Sequence, residues 1–103
     1  MKHKEFLLYL ENNSEAYKIF MNKAMQYQRA KNAKRQKQKR WDEDKMRCAA
    51  YDMWKSSMEN LYNQLKQQVN SNHEFMWKDF IEKNNILESV NDGIREMDFI
   101  SEE

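Results

Sequence analysis

The chain has 103 residues, of which 40% are hydrophobic and 34% charged, with one glycine, no proline and one cysteine. That supplies one modest core in a single domain, and it excludes a disulfide framework, a cysteine-based zinc site and a Gly-rich phosphate loop. The net charge of +1 conceals a split: residues 1–41 carry 11 Lys and Arg against 3 Asp and Glu, a net of +8, and residues 42–103 carry 7 against 14, a net of −7.

With so little turn-forming residue, sheets and hairpins are disfavoured and the chain reads as all-α. The first helix is expected over Lys4 to Glu11, with Phe6, Leu7 and Leu10 facing inward. Glu11 ends this apolar patch too early for a secretory signal, and no run approaches the roughly 18 apolar residues of a membrane span. A cytoplasmic location follows as the expectation. The abundance of Lys and Asn also suits an AT-rich genome such as a phage's, in which case the compartment is the host cell cytoplasm. Asn12-Asn13-Ser14 breaks the helix, and Asn13 or Ser14 is placed to cap the next one. The second helix follows, its apolar face stepping through Tyr17, Phe20, Ala24 and Tyr27, widened by Met21, Met25 and Gln28.

Beyond Tyr27 the apolar face fades into a cationic block: Arg29, Lys31, Lys34, Arg35, Lys37, Lys39 and Arg40. At about 100° per residue these side chains surround a helix instead of lining one side, so the segment cannot bury a face in its own core. Residue types permit one unbroken helix from Ser14 to Val69. The alternative is a break near residues 36–42, favoured by a fresh start signal in which Asp42 caps, Glu43 and Asp44 fill the first turn, and Trp41 and Met46 have hydrophobic-staple spacing. The third helix then runs from Glu43 to about Val69, with Met46, Ala50, Trp54, Met58, Leu61, Leu65 and Val69 as its buried stripe and Met53 beside it. Ser71 and Glu74 have capping-box spacing for a fourth helix, whose inward face is Met76, Phe80, Leu87, Val90, Ile94 and Met97, broadened by Trp77, Ile81 and Ile86. Asn84-Asn85 or Gly93 can interrupt it, and Asn91-Asp92-Gly93 reads as a stop. Residues 94–103 form an acidic tail. The predicted architecture is a small bundle of about four helices on a long antiparallel hairpin, one domain over residues 1–103, with 29–41 projecting as a basic segment.

The block is the one functional signal. It contains no Asp or Glu, its cations repel one another, and an anionic partner relieves that repulsion. Lys and Arg near phosphates release condensed counterions and bind without sequence preference. Tyr27 and Trp41 flank the block and offer rings for stacking on unpaired bases. The expected site is therefore Arg29, Lys31, Lys34, Arg35, Lys37, Lys39, Arg40 and Trp41, with nucleic acid or a nucleoprotein complex as partner. A solvated connector and a nuclear-import address are the competing readings of the same block.

A basic stretch before a long amphipathic helix invites comparison with basic-zipper factors, but Met46, Met53, Asn60 and Gln67 stand where that pattern keeps leucines. Catalysis finds no support: His3 and His73 lie far apart, Cys48 has no nearby histidine in sequence, and neither a metal site nor a cofactor is indicated. The second functional expectation is a protein-binding antagonist or adaptor, such as a phage-type, anti-CRISPR-like inhibitor of a host nucleoprotein enzyme. It would act through the Met/Trp face (Met53, Trp54, Met58, Met76, Trp77) or the acidic C-terminal end, which imitates a phosphate backbone. The same acidic end could meet the basic block of a second copy in a homodimer.

Overall fold

The computed structural model describes residues 1–97, so the acidic residues Asp98, Glu102 and Glu103 lie outside it. Every regular element among the described residues is helical. In chain order they are α1 (His3–Asn13), α2 (Ala16–Ala33), a 3₁₀ turn (Lys37–Lys39), α3 (Glu43–Val69), α4 (Glu74–Lys83) and α5 (Ile86–Glu96).

Local chemistry explains most of the boundaries. Glu5 accepts the Lys2 backbone N–H at 3.1 Å at the start of α1. At its end, the Asn13 side-chain amide donates to the Tyr9 carbonyl at 2.9 Å and the Ser14 hydroxyl to the Leu10 carbonyl at 2.8 Å. These two residues thus close the orphan carbonyls of α1, where the sequence suggested that one would cap α2. The α2 N-cap is Glu15, which makes no side-chain capping bond.

The unbroken helix from Ser14 to Val69 does not form. Asp42 caps α3, its Oδ1 accepting the Lys45 N–H at 2.8 Å, with Glu43 and Asp44 in the first turn against the positive end of the dipole. At the other end Asn70 takes a left-handed conformation, φ 50°, and its N–H donates to the Lys66 carbonyl.

The capping box expected at Ser71 and Glu74 is absent, because α4 begins later, with His73 as its N-cap. Ser71 instead accepts the His73 N–H through its hydroxyl, and its carbonyl accepts the Trp77 indole N–H at 2.7 Å. Asn85, φ 52°, divides the expected fourth helix into α4 and α5, giving five α-helices among the described residues where the sequence suggested about four. Gly93 does not stop the chain; it sits inside α5, between Val90 and Ile94, which are buried.

The core is one cluster. Trp54, Trp77, Phe6, Phe20, Leu10, Ile81 and Ile94 are its largest fully buried members. In α3 the buried residues are Met46, Ala50, Trp54, Met58, Tyr62 and Leu65. Four successive steps of four residues rotate that stripe by about 40° each around the helix. The drift has a cause. The first half of α3 packs on α2, with Trp54 edge-on to Phe20 and Tyr17; the second half turns to α1 and α4, with Tyr62 tilted on Phe6 and stacked on Trp77 at 5.2 Å. Tyr62 therefore takes the buried place expected of Leu61, which is half-buried. On α4 the inward pair is Trp77 and Ile81, and Met76, expected inside, is exposed.

The 27 residues of α3 span about 40 Å of a molecule measuring 50 × 23 × 21 Å. Lys23 of α2 ties α5 to this frame, its ammonium donating to the carbonyls of Ile94, Arg95 and Met97 at 2.7–2.8 Å.

Candidate nucleic-acid interface

The basic block straddles the end of α2 and the loop to α3. Arg29 and Lys31 are on the last turns of α2, Lys34 is its C-cap, Arg35 follows, Lys37 and Lys39 lie in the 3₁₀ turn, and Arg40 precedes Trp41. The loop does not hang free, because Asn32 holds its far end. The Asn32 side chain donates to the Trp41 carbonyl at 3.0 Å and accepts the Trp41 N–H at 2.8 Å. Arg35 donates to the same Asn32 oxygen at 3.0 Å, and its guanidinium carbon lies 3.9 Å from the centre of the Trp41 ring. Lys45 approaches that ring at 4.8 Å. Arg40 folds back to the carbonyls of Arg35 and Ala33 at 3.3 and 3.4 Å, where cations suit the negative end of α2.

The eight predicted residues therefore divide by role. Arg35, Arg40 and Trp41 build the loop; Trp41 is half-buried and its ring already contacts cations, so it is not an open stacking platform. Arg29 pairs with Glu43 at 2.6 Å, in an exposed contact of the kind that contributes about 0–1 kcal/mol. Lys31 lies 5.9 Å from the Tyr27 ring, and Lys34, Lys37 and Lys39 are exposed. Among the described residues no carboxylate is within ion-pairing distance of Lys31, Arg35, Lys37, Lys39 or Arg40. The crowding of positive charge is thus real in three dimensions, held on a closed and anchored loop at one end of the helical frame.

Packing of α2 against α3 adds cations that sequence reading missed. Lys18 and Arg47 join Arg29 around an open groove of about 380 Å³ over Met21 and Met25. In sequence these look like ordinary surface charges, and only the antiparallel alignment of the two helices brings them together. Tyr17 and Tyr51 lie along the same seam. Burial pushes both phenols above the usual tyrosine value, and the Glu11 carboxylate, which accepts the Tyr51 hydroxyl at 3.2 Å, adds to the shift.

The Met/Trp face is largely interior. Trp54, Met58 and Trp77 are buried and Met53 is half-buried; of its five members Met76 alone is exposed. Among the described residues no three His, Cys, Asp or Glu side chains come together as a metal site, and no helix is long and apolar enough to cross a membrane. No protein-family model, curated protein or solved structure matches the chain.

Proposed function

We propose that this is a small nucleic-acid-binding regulatory or accessory protein, without catalytic activity, that contacts the phosphate backbone through the end of α2 and the loop to α3. One observation supports the reading most: five cations of the block have no carboxylate beside them among the described residues, on a loop held closed by Asn32 and Trp41. Folding leaves that charge without a counter-charge among the described residues, and a row of phosphates neutralises it with release of condensed counterions. In this reading α3, with α4 as its antiparallel return, is the rigid frame, and α2 runs antiparallel along the first half of α3. Fluorescence anisotropy of labelled oligonucleotides across a salt series tests the proposal. Binding should weaken steeply as salt rises, and absence of binding at about 50 mM salt rejects it.

A second reading, a protein-binding antagonist of a nucleoprotein enzyme, draws on a different observation. Phe75 and Met76 stand side by side on α4 with 67% and 42% of their surface exposed, and exposed apolar pairs of this kind suit a protein interface. A stoichiometric partner that survives nuclease treatment and is lost on Phe75→Ser with Met76→Ser supports it; retention of that partner by the double variant excludes this face.

A further inference from the structure

We infer that the groove between α2 and α3 receives the bases of a single strand whose phosphates continue onto the basic loop. The inference rests on the nucleic-acid reading above and adds the strand state that is bound.

Two hollows adjoin along the seam, of about 380 and 310 Å³, sharing Tyr17, Met21 and Arg47. Each is at the small end of the range for ligand sites. Met21, Met25 and the ring of Tyr17 supply an apolar, polarisable lining, while Lys18, Arg29 and Arg47 supply positive charge at its edges. Tyr51 and Cys48 extend the lining into the second hollow, and Asp52 closes its far side. A flat π-face bonded to an anion matches such a lining. Thioether sulfur packs well against aromatic rings, stacking of bases on aromatic side chains is tolerant of sequence, and guanidinium forks suit phosphate oxygens.

A duplex keeps its base faces stacked and offers this seam phosphates but no π-face; a single strand offers both. Continuity with the loop is direct, because Arg29 both lines the groove and begins the basic block. Glu43 now bridges Arg29 at 2.6 Å and Arg47 at 3.8 Å, in pairs whose members are all about half exposed or more. Exposed pairs are weak, so a phosphate can take the place of that carboxylate at little cost. Asp52, paired with Lys55 at 3.4 Å, puts negative charge at the end away from the loop. The strand accordingly leaves the groove towards Arg29.

Cys48 is exposed and is the chain's one cysteine, which makes it a handle for blocking the groove without touching the loop. The experiment compares a fluorescein-labelled oligothymidine of about twelve nucleotides with a duplex of equal length, on the full chain before and after Cys48 is alkylated with a bulky maleimide. The unmodified protein should prefer the single strand by roughly five-fold or more, the value of at least one stacked base. Alkylation should bring single-strand affinity down to that of the duplex and leave duplex affinity unchanged. Cys48→Glu, which places a carboxylate in the groove, should lower single-strand affinity more than duplex affinity, with an unchanged thermal melt showing that the fold is intact. Equal affinity for both probes, or a strand preference that survives both changes at Cys48, overturns the inference. If Lys37→Ala with Lys39→Ala then weakens both probes alike, the loop reading stands and the groove alone falls. If neither probe binds at low salt, both fall.

Discussion

Asn32 and Trp41 exchange two hydrogen bonds across the basic loop, the carboxamide of one pairing with the backbone N–H and C=O of the other at 2.8 and 3.0 Å. A side-chain amide used this way imitates a neighbouring strand and closes the eight-residue excursion between the two without glycine or proline. Asn32→Ala leaves both Trp41 backbone groups to water and should lower stability by about 1–2 kcal/mol. Trp41 should also become more accessible to acrylamide. Because Trp54 and Trp77 are buried, a rise in quenchable fluorescence reports on Trp41. An unchanged quenching profile would show that the loop is held by other contacts.

The Lys23 ammonium caps α5 from outside, donating to three carbonyls at its C-terminal end. Lys23→Met keeps most of the aliphatic stem and removes the donors. The expected loss is about 1–2 kcal/mol, combining charge-assisted hydrogen bonds with the helix dipole. Amide hydrogen exchange should rise in α5 more than in α3. Uniform loss of protection across the chain would argue against a local cap.

Gly93 is the one position where the chain gains by acquiring a side chain. It is exposed, lies within α5 with no positive φ, and a Cβ added there meets nothing within 4 Å. Gly93→Ala should raise stability by about 0.5–1 kcal/mol, through helix propensity and a less flexible unfolded chain. Thermal melting checks this, and a lowered midpoint would mean that α5 is not helical at residue 93.

Tyr17, Tyr51 and Tyr62 all titrate above the ordinary 10.0, first because of burial; Glu11 raises the first two further and Glu5 the third. A raised folded-state value means that the fold favours the neutral phenol. This contribution is fully present below pH 10.0 and disappears as pH climbs through the folded-state values. The urea midpoint should therefore hold steady on approach to pH 10 and fall above it. Tyr51→Phe, which also removes the hydroxyl bond to Glu11, should make that alkaline fall shallower. A variant with an equally steep fall would assign it to other groups.

Helix identity and the start of α3 were legible because their causes are local: Asp42, Glu43 and Asp44 carry the capping chemistry within four residues. The Asn84-Asn85 break was visible as a possibility for the same reason. What depends on partners was not. Whether Asn13 and Ser14 serve the helix behind or the helix ahead is decided by where α1 ends. Tyr62 displaces Leu61 because the buried face of α3 rotates as its neighbours change from α2 to α1 and α4. Met76 lies outside because Trp77 and Ile81 set the rotation of α4. In the candidate site, the cationic block was evident from composition alone. The division of labour within it was not, since Asn32 acts on a residue nine positions away, and Lys18 and Arg47 meet only through helix packing.

The most direct measurement is the salt dependence of oligonucleotide binding for the native chain beside Lys37→Ala with Lys39→Ala, two exposed cations that neither build the loop nor pair with a described carboxylate. If the loop rides on a phosphate backbone, the double variant should bind more weakly and its log–log salt slope should be smaller by about 1.4–1.8, the worth of two phosphate contacts. Binding with an unaltered affinity and slope, or no binding by the native chain near 50 mM salt, would contradict a phosphate-binding role for the loop.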